Sequence, residues 1–158
     1  MQTHVVIGLG SNLGDRLANL RAACEAIERL PAVSRSRRSP VYETAPVGPP
    51  QPHYLNAALR VECTCTPVAL LDALLAIERG MGRERRERWG PRTIDLDVLW
   101  WEGVAIDDGP VILPHPRLRE RAFALVPLCD VAPDATDPEG ARFADVPLAV
   151  GMTPFAAL

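Results

Sequence analysis

Residues 88–97 read Arg88-Trp89-Gly90-Pro91-Arg92-Thr93-Ile94-Asp95-Leu96-Asp97. Cations, an indole, a rigid turn and two carboxylates fall within one short stretch. If residues 92–101 form a strand, the two-residue side-chain period puts Asp95 and Asp97 on one face, roughly 7 Å apart. Two acids beside arginines suit a magnesium-bound polyphosphate: the carboxylates supply hard oxygen ligands and the guanidinium forks match phosphate oxygens. A solvated edge strand would carry the same Asp-x-Asp pattern. Here, however, Ile94, Leu96, Val98, Leu99, Trp100 and Trp101 make the strand read as central in a sheet. Acids on an otherwise buried strand are costly unless metals or cations compensate them.

Composition narrows the classes. A chain of 158 residues with 47% hydrophobic and 23% charged residues reads as one globular domain spanning 1–158. No apolar run reaches the roughly 18 residues of a membrane span. The start of the chain enters a strand pattern at once, without a basic leader, so the expected location is the cytoplasm. A net charge of −3 argues against sequence-independent nucleic-acid binding. All 17 basic residues are arginine, which excludes lysine Schiff-base chemistry and a lysine-dependent phosphate loop. Cys24, Cys63, Cys65 and Cys129 lack metal-ligand spacing and read as small core residues in a reducing compartment.

The elements that must position these groups follow from periodicity. His4–Leu9 reads as a strand and residues 10–14 as a turn. Residues 15–30 form a helix with Leu17, Leu20, Cys24 and Ile27 on one face, stopped by Pro31. Residues 33–43 read as one strand with an arginine-rich solvent side, and 54–65 as another. Thr66 caps a helix with Pro67 at its first position, running to about Arg79 with Leu70, Leu71, Leu74, Leu75 and Ile77 inward. A second short strand is expected near 104–106, followed by proline-punctuated short helices. The fold class is α+β, one mainly antiparallel sheet with helices packed on it.

Three further constellations bear on chemistry. Gly8, Gly10 and Gly14 mimic a dinucleotide turn, but the third glycine comes one residue late and no acid follows a second strand. The proline-rich stretch 44–53 is stiff, and Tyr54 and Asn56 follow it on one strand face, an aromatic and an amide that suit a pterin or purine edge. Loop 80–91 combines Gly80, Gly82 and Gly90 with four arginines and Trp89, the make-up of a lid over phosphates. Pro114-His115-Pro116 adds a histidine in a rigid setting ahead of Arg117, Arg119, Arg121 and Phe123.

Gly10-Ser11-Asn12, Tyr42-Glu43-Thr44, Tyr54-Leu55-Asn56-Ala57, Glu78, the 83–97 block and Pro114-His115-Pro116 with Arg121 and Phe123 together resemble the 6-hydroxymethyl-7,8-dihydropterin pyrophosphokinases of folate biosynthesis. The resemblance runs in order through nearly the whole chain, loosely after Asp134. It implies a ferredoxin-like α+β fold and transfer of pyrophosphate from ATP to the pterin hydroxymethyl group, releasing AMP. It implies that Asp95 and Asp97 bind two Mg2+ ions and that Arg83 and Arg92 are catalytic. The ATP side would comprise Glu78, Arg85, Arg88, Trp89, Arg92, Val98, His115 and Arg121. On the pterin side, Thr44, Pro46, Val47 and Asn56 would edge the ring, with Tyr54 and Phe123 sandwiching it. The expected partners are the two small substrates, with no nucleic acid, no membrane and a monomeric state. Two other readings stand beside it: a two-metal phosphohydrolase using the same carboxylates, and a non-catalytic nucleotide-sensing domain. Both leave Tyr54, Asn56 and Phe123 without a role.

Overall fold

The computed structural model describes residues 3–45, 50–82, 93–146 and 152–158. In chain order these give β1 (Thr3–Ser11), α1 (Arg16–Glu28), β2 (Val33–Arg38), β3 (Pro40–Thr44), β4 (Tyr54–Cys63), α2 (Pro67–Gly80), β5 (Asp95–Trp101), α3 (Ala122–Val131) and β6 (Met152–Ala157). Short 3-10 turns at 118–120 and 143–145 flank α3.

The sheet is antiparallel at every pairing, in the order β5-β1-β4-β3-β6, with β2 continuing the β3 side of β4. With β2 and β3 counted as one interrupted strand, the first five strands and two helices trace the β-α-β-β-α-β course of a ferredoxin-like fold. The two helix starts are locally encoded. Asp15 accepts from the Ala18 amide at 3.1 Å and Thr66 from the Ala69 amide at 3.2 Å, each satisfying an orphan N–H of a first turn.

Alternation along β1 sorts the core into two layers. Val5, Ile7 and Leu9 pack with Leu20, Cys24 and Ile27 of α1 and with Leu70 and Leu74 of α2. Val6 points the other way, joining Ala58, Leu99 and Trp100 beneath Leu125, Leu128 and Val131 of α3. Helices therefore cover both sides, α1 and α2 on one face and α3 on the other. None of the described helices is long and apolar enough to cross a membrane. Burial pushes the Cys24 thiol up to about 12, as it does that of Cys65. All four cysteines are free.

Several expectations need correction. β5 lies at the end of the sheet order, not at its centre. Its residues are apolar because both faces are covered, and its outer edge is covered as well. The buried Glu78 carboxylate accepts from the Leu96 amide at 2.8 Å, and the Leu99 carbonyl accepts from the His115 amide at 2.8 Å, the protection an edge strand needs. β1 continues two residues further than Leu9, so Gly10 and Ser11 belong to the strand. β4 stops at Cys63, leaving Cys65 beyond it. Leu71, Leu75 and Ile77 are only half-buried. The expected strand at 104–106 is reduced to one bridge between Ile106 and Leu113. The C-terminal stretch ends in a strand, β6, hydrogen-bonded to β3; a short, exposed segment with Pro154 carries no alternating signal.

The single strand expected at 33–43 is interrupted at Ser39. Its hydroxyl accepts from the Ala58 amide at 2.8 Å and its own amide donates to the Ala58 carbonyl at 2.9 Å, so a side chain replaces a ladder bond where the chain bends. Ser39 is 2% exposed. Ser39→Ala should lower stability by about 1–3 kcal/mol, the cost of an orphaned buried N–H, read as a lower denaturation midpoint in urea with an unchanged m-value.

Candidate active site

The floor of the site is the α3 face of the sheet beyond the reach of the second core cluster. Cross-strand register fixes its side chains. Asp95 stands opposite Gly10 and Asp97 opposite Gly8; Gly10 is in turn opposite Asn56, and Gly8 opposite Ala58; Asn56 is opposite Tyr42, and Tyr54 opposite Thr44. Asp95, Asp97, Asn56, Tyr54, Tyr42 and Thr44 therefore share one face, with a strip of two glycines between the acids and the amide. The strip stays low for steric reasons. A Cβ on Gly8 would lie 3.0 Å from Leu99, and one on Gly10 would lie 3.1 Å from Asn56 Oδ1 and 3.4 Å from the Tyr54 ring.

Asn56 is 6% exposed, and its Nδ2 donates to Thr44 Oγ1 at 2.6 Å. That bond orients the amide so that Oδ1 presents an acceptor over Gly10. Tyr42 donates to Asp130 of α3; burial and that carboxylate hold its hydroxyl protonated, with a pKa raised to about 12. α3 carries Phe123 in its first turn on the same side of the sheet. The guanidinium of Arg121 stacks over that ring, with Cζ 5.6 Å from the centroid.

On β5, a one-residue bulge at Leu99 lets both Leu99 and Trp100 face α3. It also turns the Leu99 carbonyl to the segment carrying His115. Desolvation, then the Arg121 charge, hold His115 below its ordinary value; Asp95 opposes them and Arg117 adds to them. The Arg117 amide donates to His115 Nδ1 at 3.3 Å. The ring is thus neutral near pH 7 with its proton on Nε2, a donor and not a fixed cation.

Sequence reasoning placed Glu78 and Val98 on the nucleotide side. Their side chains lie on the other face of the sheet, 3% and 6% exposed. Glu78 holds the outer edge of β5, and Val98 packs in the core with α1 and α2. Arg83, Arg85, Arg88, Trp89, Arg92, Pro46 and Val47 fall outside the described residues, as does most of the expected lid 80–91. Sequence reasoning missed the role of Gly8 and Gly10. The signal was present: two glycines at a spacing of two inside a strand lower one face of it.

Two half-buried carboxylates, a glycine strip and a buried amide thus share one face of a ferredoxin-like sheet. The sequence profile of the family described as 7,8-dihydro-6-hydroxymethylpterin-pyrophosphokinase (HPPK) matches residues 6–133. The chain is 47% identical over 133 residues to the 2-amino-4-hydroxy-6-hydroxymethyldihydropteridine pyrophosphokinase of Methylorubrum extorquens, covering 84% of each chain. It is 39% identical to the protein of that name from Synechocystis, covering 87% of this chain and 70% of that one. Part of the Arabidopsis thaliana protein "Folate synthesis bifunctional protein, mitochondrial" is 46% identical, over 84% of this chain and 24% of that protein. Among solved structures, a substrate complex of an HPPK-DHPS superposes with a TM-score of 0.69 at 11% identity, over 92% of this chain and 43% of that one. A Plasmodium falciparum HPPK-DHPS gives a TM-score of 0.62 at 12% identity. The chain thus spans under half the length of those fused proteins, and at such identity they speak for the fold alone. The chain belongs to the 7,8-dihydro-6-hydroxymethylpterin-pyrophosphokinase family.

Because the folded His115 pKa lies below the ordinary 6.5, its contribution to stability is present above pH 6.5 and lost as pH falls through the folded value. NMR titration of the ring should give a midpoint below 6.5, moving upward when a non-hydrolysable ATP analogue adds negative charge nearby. A midpoint at or above 6.5 in the free protein would contradict the neutral-donor assignment.

Proposed function

We propose that the chain transfers pyrophosphate from ATP to the hydroxymethyl oxygen of 6-hydroxymethyl-7,8-dihydropterin, giving the pterin diphosphate and AMP in folate biosynthesis. The observation that carries this reading is the lateral row Asp95, Gly10, Asn56. Two strand spacings, about 10 Å, separate the acid from the amide. A flat bicyclic ring fits across the glycine strip, its donor-rich amide edge at Asn56 Oδ1 and its hydroxymethyl group toward Asp95 and Asp97. Thr44, Pro46 and Val47 edge the ring, and Tyr54 and Phe123 sandwich it.

Asp95 and Asp97 fit magnesium. They are hard oxygen donors on one face, both half-buried. Among the described residues no group of three or more acids, histidines or cysteines gathers. Cations held there would take their other oxygens from water and from the phosphates, the arrangement Mg2+ prefers. Two such ions, when bound, neutralise the triphosphate. The bond from the carbinol oxygen to the β-phosphorus forms as the bond to AMP breaks, so the protein's task is positioning and charge stabilisation. Arg83 and Arg92 stabilise charge on the departing AMP. Arg85, Arg88 and Trp89 hold the nucleotide with Arg121, and His115 donates from Nε2. Glu78 and the main chain of Val98 border it at the outer edge of β5. The chain works as a cytoplasmic monomer, with residues 1–158 as one pyrophosphokinase domain.

Product analysis with ATP and magnesium, with and without the pterin, tests the reading. Pterin-dependent AMP is the expected product; pterin-independent phosphate would indicate a hydrolase, and no turnover a sensor. Asp95→Asn and Asp97→Asn should each lower kcat roughly 100- to 1,000-fold, as loss of a preorganised charge-stabilising group does. Asn56→Ala should cost about 1–3 kcal/mol in pterin affinity and far less in ATP affinity, read by calorimetric titration of each ligand.

A further inference from the structure

Arg16 opens α1 on the face of the sheet opposite Asp95 and Asn56. Its Nη1 donates to Glu43 Oε2 at 2.7 Å and to the His53 carbonyl at 3.0 Å. The same guanidinium lies over the Phe155 ring of β6, with Cζ 5.5 Å from the centroid. Glu43 and His53 immediately precede Thr44 and Tyr54, the cross-strand pair that closes the β3–β4 ladder. One cation therefore ties both stems of the 45–53 connection from behind the sheet.

As a surface ion pair this contact would count for little. Arg16 and Glu43 are 24% and 33% exposed, and such pairs contribute weakly. Its weight is geometric. A planar guanidinium holds two acceptors at fixed directions, and those acceptors sit one residue from Thr44 and Tyr54. Thr44 Oγ1 is the atom that orients the Asn56 amide. The return stem is held a second time by Asn12, 1% exposed, whose Nδ2 donates to Gln51 Oε1 at 2.7 Å and to the Pro52 carbonyl at 3.0 Å. Among the described residues no hydrogen bond or ion pair links Arg16 to β5.

We propose that Arg16 is a positioning residue that fixes the stems of the 45–53 connection and thereby sets affinity for the heterocyclic substrate, leaving the phosphate half unchanged. The proposal rests on reading Thr44, Tyr54 and Asn56 as the heterocycle side. In the full chain, Arg16→Met keeps the aliphatic stem and removes the fork. It should raise KM for hydroxymethyldihydropterin roughly five- to thirtyfold, the factor that one or two kcal/mol corresponds to, with KM for ATP and kcat little changed. Arg16→Lys, which keeps the charge but loses the planar fork, should recover little of the loss. Hydrogen exchange needs no turnover: Arg16→Met should speed exchange of the amides at 43–45 and 53–55 and leave β5 as protected as before. An equal rise in both KM values, or a lower Tm with an unchanged pterin KM, would overturn the proposal. So would exchange unchanged at the stems or accelerated evenly over the sheet. If the unaltered protein forms no pterin-dependent AMP, the functional reading fails, and the exchange pattern still decides whether Arg16 fixes the stems.

Discussion

The pairing of β1 between β5 and β4 is the constraint on which the site depends. Side chains alternate across a strand, so register decides which residues share a face. In the observed register Gly8 and Gly10 separate two acids from an amide. A slip of β1 by one residue would lift Leu9 into the strip and drop the glycines into the core. The hydrophobic layers forbid that slip, because Val5, Ile7 and Leu9 fill the core with α1 and α2 while Val6 fills the one beneath α3. Packing energy in two cores thus sets the geometry of a polar site that itself buries little apolar area.

That division of labour explains where the site lies. α3 packs on the end of its face that holds Val6, Ala58, Leu99 and Trp100, while Asp95, Gly10 and Asn56 lie at the other end. The bulge at Leu99 marks the boundary. It keeps Trp100 under α3, where its indole donates to the Thr136 carbonyl at 2.9 Å, and brings the His115 segment against the edge of β5. Partial burial there leaves His115 neutral although Asp95 is near, because desolvation and the charges of Arg121 and Arg117 act against protonation.

The two halves of the site differ in how they are supported. The acid half stands on β5, an edge strand held by Glu78 and the His115 amide. The amide half stands where β3 and β4 meet; Arg16 donates to Glu43 and to the His53 carbonyl behind the sheet, and Asn12 donates to Gln51 and to the Pro52 carbonyl. β6 adds to these contacts through Phe155 and pairs with the β3 edge, although it lies outside the segment matched by the family profile. Arg21, further along α1, also donates to the Ala157 carbonyl at 2.9 Å.

The sequence by itself determined the α+β class, the helix starts at Asp15 and Thr66, and the shared face of Asp95 and Asp97. Each follows from periodicity or a side chain acting on its own backbone, within a few residues. It also carried the family resemblance through an ordered set of motifs. Only the tertiary structure decided that β5 is an edge strand, since burial by helices on two faces leaves the same apolar run as a central position. Two glycines two apart hinted at a lowered strand face, but long-range register was needed to set Gly8 and Gly10 between acids and amide. β6 was invisible for the same reason: its stability comes from β3 and from Arg16 and Arg21, not from its own pattern. The inward placement of Glu78 also needed the fold, because a carboxylate on the apolar stripe of a helix is buried only when a distant strand offers it an amide.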